Sequence, residues 1–186
     1  MISSERFIKK LKSKGVSYFY GVPDSLLKKL TANLVKEKSH FISANEGSAV
    51  AEAIGTYLRT KKLSLVYMQN SGLGNAINPL LSIADKKVYS IPIVLMIGWR
   101  GEPGISDEPQ HEVMGSITKE LLKLIKIPFL IVDKNLKLEK LDKIIKICKK
   151  EKKPIALLVK LNSFSSENKN KFKENNKILR YDFLET

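Results

Sequence analysis

Apolar residues along this chain follow two alternating rhythms. Short runs rich in branched and aromatic side chains occupy residues 16–20, 40–43, 63–68, 92–97, 129–132 and 155–159, and each predicts a strand. Between them the apolar spacing lengthens to three and four residues, the signature of a helix with one face turned to a core. Phe7, Ile8 and Leu11 mark a first helix, and Leu26, Leu27, Leu30 and Leu34 a second. Ala49, Val50, Ala53, Ile54, Tyr57 and Leu58 give a third its inward stripe, and further helices are predicted near 75–84, 115–125 and 136–150.

Strands separated by helices imply an α/β fold: a doubly wound, mostly parallel six-stranded sheet with helices on both faces and right-handed crossovers. In such folds ligands bind beyond the carboxyl ends of the strands. The segments there are GVPDS (21–25), ANEGS (44–48), QNSGLGN (69–75) and the stretch 98–112, GWRGEPGISDEPQHE. The last runs to about fifteen residues, against roughly four to six for an ordinary connection, and loops of that length usually carry function or lack order. The chemistry is therefore expected at one end of the sheet, near the first four strands. Residues 133–135 read as a plain connector.

Composition narrows the reading. At 186 residues, 43% hydrophobic and 28% charged, the chain is long enough for one domain with a proper core. No apolar run approaches the ~20 residues that span a bilayer, and the first fifteen carry charges where a signal peptide needs an apolar centre, so no membrane association and a cytoplasmic location are expected. The single cysteine, Cys148, excludes an internal disulfide and falls in step with Leu141, Ile144 and Ile145 as a small buried apolar residue. A net charge of +14 invites a nucleic-acid reading, but lysines such as Lys137, Lys140, Lys143 and Lys146 lie on the solvent side of an amphipathic pattern, and no nucleic-acid-binding motif accompanies them. No nucleic-acid partner is expected. After Lys160 the sequence becomes polar and ends in ILRYDFLET, so a domain over 1–161 and a polar linker with the start of a following element over 162–186 are expected.

Five places in the chain could carry chemistry. Glu46 follows Asn45, a good helix N-cap, and its charge suits the start of a helix. It also precedes Ala49 and Val50 by three and four residues and so shares their inward face, where a carboxylate can share a proton with a ligand nitrogen. QNSGLGN offers Gly72 and Gly74 but Ile77 where a dinucleotide fingerprint needs its third glycine; it reads either as a tight turn or as a segment whose backbone, with Asn70 or Ser71, approaches a ligand. Asp24 reads first as a helix N-cap, which does not exclude catalysis. Arg100 suits capture of a phosphonate, sulfonate or carboxylate, and His111 proton transfer, although each taken alone is more often an ordinary surface residue. His40 opens a strand with no partner in sight.

Taken in register, GVPDSLLKKL, ISANEGSAVAEAIGTYL, YMQNSGLGNAINPLLSI, PIVLMIGWRGEPG and DEPQHEVMG resemble the pyrimidine-binding domain of thiamine-diphosphate-dependent 2-oxo acid decarboxylases. The likeness is fullest to the phosphonopyruvate decarboxylases and extends, less fully, to the α subunits of sulfopyruvate decarboxylases. It runs from about residue 21 to 125. It implies thiamine diphosphate as cofactor, with Glu46 hydrogen-bonding N1′ of the aminopyrimidine and with Asn70, Ser71 and Gly72 beside it. Asp24 and His111 then stand where the family places an acidic residue after the first strand and a histidine that assists proton transfer. Arg100, with Ser25, is our own candidate for the substrate anion. The family holds Mg2+ and the diphosphate through a GDG-then-asparagine motif that these 186 residues do not contain, so no metal ligand is expected here and a diphosphate-binding domain or subunit must complete the site, in a homo-oligomer or a hetero-oligomer. The expected reaction is decarboxylation of 3-phosphonopyruvate to phosphonoacetaldehyde. Sulfopyruvate or another anionic 2-oxo acid is the alternative substrate, and a non-catalytic binding or regulatory module is the alternative of another class.

Overall fold

The structure, a computed structural model, describes residues 1–165. Its elements are β1 (Ile2–Ser3), α1 (Ser4–Ser13), β2 (Val16–Gly21), α2 (Lys28–Leu34), β3 (His40–Ile42), α3 (Glu46–Thr60), β4 (Leu63–Gln69), a single 3-10 turn (Asn70–Gly72), α4 (Leu73–Ser82), β5 (Ile93–Gly98), α5 (Pro109–Leu124), β6 (Phe129–Val132), α6 (Lys140–Glu151), β7 (Ile155–Val159) and β8 (Phe164–Ser165). Six strands form one parallel sheet in the order β3-β2-β4-β5-β7-β6. All six predicted strands are present.

Strand residues alternate between two cores, as a pleated strand buried on both faces requires. Leu65, Tyr67, Val94, Met96, Leu157 and Val159 pack with α1, α2 and α6 on one face. Val66, Met68, Leu95, Ile97, Ala156 and Leu158 pack with α3, α4 and α5 on the other. Sheet burial is complete in the middle and lapses at the edges: every residue of β5 and β7 is buried, whereas Phe41 and Ile42 of β3 and Ile131 of β6 are exposed. Cys148 is fully buried on α6 beside Leu141, Ile144 and Ile145, as its spacing predicts.

Three boundaries differ from the sequence reading, each for a local reason. The helix expected from 115 begins at Pro109, whose fixed φ and missing N–H suit the first position of a helix. Residue 111 thus sits on α5, and the irregular segment after β5 is shorter than it reads. QNSGLGN is no open loop either, because the 3-10 turn runs straight into α4. Finally, β8 pairs in parallel with β1, and Phe164 packs edge-on against Phe7 with ring centroids 4.9 Å apart. Residues 162–165 therefore belong to the domain that was expected to close at 161. ILRYDFLET lies outside the described residues. Among the described residues no helix is long and apolar enough to cross a membrane.

Candidate active site at the carboxyl end of the sheet

The chain leaves β2 for β3 on one side and then crosses back to β4 on the other, so the strand order reverses between β2 and β4. Segments that follow adjacent strands diverge there and open a crevice. The segments after β2, β3, β4 and β5 carry the chemical groups.

Glu46 is the first residue of α3. Asn45 caps the helix, its Oδ1 accepting the Ser48 N–H at 2.8 Å. The Glu46 side chain is half-buried and lies against Gly72 across the crevice. A Cβ at 72 would stand 2.5 Å from the Glu46 carboxyl carbon, so only glycine leaves the carboxylate its place. Gly72 has φ −68°, so close approach and not a left-handed turn is what demands glycine here. Asn75 Nδ2 donates to Glu46 Oε2 at 2.8 Å, and among the described residues Oε1 receives no hydrogen bond. A carboxylate braced on one oxygen and open on the other fits a ring nitrogen that shares a proton.

Asp24 is buried, 6% exposed, but is not the helix cap it resembles in the sequence: α2 starts four residues later, at Lys28. Its Oδ1 accepts the Leu26 N–H at 3.3 Å and its carbonyl accepts the Leu27 N–H at 3.2 Å, a local turn built by the aspartate itself. Oδ2 is buried without a hydrogen-bond partner among the described residues. It fills the space where a side chain at Gly98, the last residue of β5, would begin, 2.0 Å from an ideal Cβ there. Burial pushes the Asp24 carboxyl above its ordinary value, against weaker opposing effects from the Leu26 N–H and the Arg100 charge.

Arg100 follows β5 by two residues. Its Nε donates to Asp107 at 2.8 Å, its Nη2 also binds Asp107, and its Nη1 donates to Ser25 Oγ at 2.9 Å. Of the five N–H groups of a guanidinium these use three, and one on each terminal nitrogen remains for an anion. His111, in the first turn of α5, places Nδ1 3.0 Å from Asp107 Oδ1. The structure thus brings Asp24, Ser25, Arg100 and His111 to one region around Gly98 and Asp107, while Glu46 packs separately against the turn after β4. Beside Arg100 lies a hollow of about 220 Å³ bounded by Leu26, Trp99, Glu102, Ser106 and Asp107. Glu46 does not line it.

Asn70 joins the two regions from within. It is 1% exposed; Nδ2 donates to the Arg100 carbonyl at 2.8 Å and to Thr118 Oγ1 at 2.9 Å, and Oδ1 accepts the Arg100 N–H at 3.2 Å. Its side chain ties the 3-10 turn to the segment after β5, while Ser71 stands exposed with its Oγ accepting from Gln69 Nε2 at 2.8 Å. His40 does have a partner, since its Nε2 lies 2.9 Å from the Tyr67 hydroxyl on β4. Burial lowers the His40 pKa and pushes Tyr67 up to about 12. Sequence reasoning gave no role to Asp107, one of several polar residues in its segment, or to Thr118. An aspartate four residues ahead of a histidine and seven beyond an arginine was the available signal for the first.

Comparison with known proteins gives the chain its family. The phosphonopyruvate decarboxylase of Streptomyces hygroscopicus is 39% identical over 126 residues, which cover 67% of this chain and 31% of that one. The sulfopyruvate decarboxylase subunit alpha of Methanococcus maripaludis is 36% identical over 132 residues, covering 69% of this chain and 76% of that subunit. The chain thus spans 31% of the length of the phosphonopyruvate decarboxylase it matches. Benzoylformate decarboxylase from Polynucleobacter necessarius superimposes with a TM-score of 0.70 at 18% identity, over 88% of this chain and 30% of that one, a likeness of fold alone. The family model described as thiamine pyrophosphate enzyme, N-terminal TPP binding domain, matches residues 1–121, and the chain belongs to that family.

Proposed function

We propose that this chain supplies the pyrimidine-binding half of a thiamine-diphosphate-dependent decarboxylase acting on an anionic 2-oxo acid, with 3-phosphonopyruvate converted to phosphonoacetaldehyde and carbon dioxide as the leading reaction. The observation that carries this reading is Glu46, held against Gly72 with one oxygen braced by Asn75 and the other open. When bound, the cofactor would supply an electron sink for the carbon–carbon cleavage. Glu46 would hold a proton at a pyrimidine nitrogen, and the backbone of Ser71 and Gly72 would stand beside the bound ring. Asp24, whose carboxyl burial pushes above its ordinary value, and His111 handle protons near the reacting carbon. Arg100 and Ser25 hold the distal anion, through the guanidinium N–H groups that Asp107 leaves over and the exposed serine hydroxyl. Mg2+ and the diphosphate belong to a separate diphosphate-binding domain or subunit, which makes the working enzyme an oligomer of like or unlike chains. A cytoplasmic setting suits the lone, reduced and fully buried Cys148.

Sulfopyruvate is the second substrate reading, favoured by the fuller length match to a decarboxylase α subunit. The deciding experiment combines the chain with a diphosphate-binding partner, Mg2+ and thiamine diphosphate and measures carbon dioxide release from phosphonopyruvate, sulfopyruvate and pyruvate. Glu46→Gln should lower kcat by at least about 100-fold, the usual contribution of a positioned proton-transfer group. Arg100→Ala should raise KM roughly 10-fold or more for the phosphonate or sulfonate and little for pyruvate, as loss of a charge-assisted hydrogen bond predicts. Full activity of Glu46→Gln would refute the reading.

A further inference from the structure

The Asp107 carboxylate gathers more donors than any other side chain near the site. Arg100 reaches it through Nε and Nη2, the Gly101 N–H donates to Oδ2 at 2.8 Å, the Glu108 N–H donates to Oδ1 at 2.8 Å, and His111 Nδ1 lies 3.0 Å from Oδ1. Asp107 and His111 side chains are each 14% exposed, so water has little part in the arrangement. The Arg100 guanidinium, followed by the backbone N–H groups, holds the Asp107 carboxyl well below the usual carboxylate range. An ionised carboxylate only accepts hydrogen bonds. His111 Nδ1 must then carry a proton in order to meet it.

We propose that Asp107 is the positioning residue of this site: it fixes neutral His111 in the Nδ1-protonated tautomer, leaving Nε2 as the basic atom, and clamps Arg100 in the same contact. The two residues assigned to proton transfer and anion capture are thereby set by one carboxylate. Packing holds the parts together. A Cβ at Gly115 of α5 would stand 1.7 Å from the Gly101 carbonyl, so the segment carrying Arg100 is pressed onto the helix that carries His111. Asn70 fastens the same segment from below through the Arg100 backbone. Asp107 lies four residues ahead of His111, within reach of its ring across the helix start.

The proposal deepens the decarboxylase reading, yet its test needs no turnover, so the two can fail separately. The chain holds two histidines, His40 and His111, which makes their ring nitrogens easy to tell apart. Long-range proton–nitrogen NMR of the histidine-labelled 186-residue chain, followed upward in pH until the rings are neutral, reads the tautomer directly. The wild-type spectrum should show the bare-nitrogen resonance of His111 on Nε2. In Asp107→Ala that resonance should move towards Nδ1, as in the Nε2-protonated tautomer that a free histidine side chain prefers, and Asp107→Glu should restore the wild-type pattern in part. His40 should not change in any variant. A wild-type His111 protonated on Nε2 overturns the proposal even if no variant folds, and so does an unchanged tautomer in a folded Asp107→Ala.

Discussion

Asp24 shows how a site can cost stability. A carboxylate with one oxygen buried and unpartnered costs about 1–3 kcal/mol, and more when ionised. In the unfolded chain Asp24 ionises near 3.8, whereas burial raises the value in the folded protein. The folded state therefore binds the proton more tightly, and native stability falls as pH rises from 3.8 through the folded value. Asp24→Asn removes that penalty. At neutral pH its melting temperature should exceed the wild type by about 2–6 °C, and the gap should close in acid, below the ordinary carboxylate value. Calorimetry across this range checks it; a gap independent of pH would show that ionisation of Asp24 is not the cause. The same substitution should lower activity in the assembled enzyme, since stabilising a strained site commonly removes function.

Helices and turns decide which groups are reactive and which are only packed. On α6, Cys148 faces β5 and its Sγ donates to the Ile93 carbonyl at 3.6 Å. Burial pushes its pKa from the reference value of 9.0 up to about 12, which reduces the thiolate by about a thousand-fold before steric exclusion is counted. Ellman's reagent should therefore leave the native chain unmodified over hours and label one thiol promptly in denaturant. Fast labelling without denaturant would mean that α6 separates readily from the sheet. The turn after β4 works the other way. Its 3-10 geometry, secured by Asn70, delivers Gly72 to Glu46 and the Arg100 backbone to its place, so the two candidate regions share one short element.

Across the whole molecule, a separate two-stranded parallel pair, β1–β8, joins the two ends of the described chain beside the main sheet. Ile2 N donates to the Ser163 carbonyl at 2.8 Å and Ser4 Oγ to the Ser165 carbonyl at 3.1 Å, while Phe164, 3% exposed, completes the core under α1. Phe164→Ala should destabilise the fold by about 3 kcal/mol, a usual cost for truncating a buried aromatic. Denaturant unfolding measures this, and a change below about 0.5 kcal/mol would show that the pair adds nothing beyond a surface contact.

The alternation of apolar runs was enough to predict the fold class, all six strands of the main sheet and the Asn45 cap, because burial on two faces and helix capping depend on side chains close in the chain. Glu46 was legible for the same reason: its spacing from Ala49 and Val50 is a property of one helix. Asp24 was misread as a cap because N-capping and an aspartate-built turn share one local pattern, and only the approach of β5 shows its carboxylate buried against Gly98. The glycine at 72 and the partner of His40 depend on neighbours about 26 residues away in the chain, from Glu46 to Gly72 and from His40 to Tyr67. Asp107 is the clearest case. One carboxylate among several in a polar stretch becomes a hub only when β5 and α5 come together, because hydrogen-bond geometry belongs to positions in space and not to spacing along the chain.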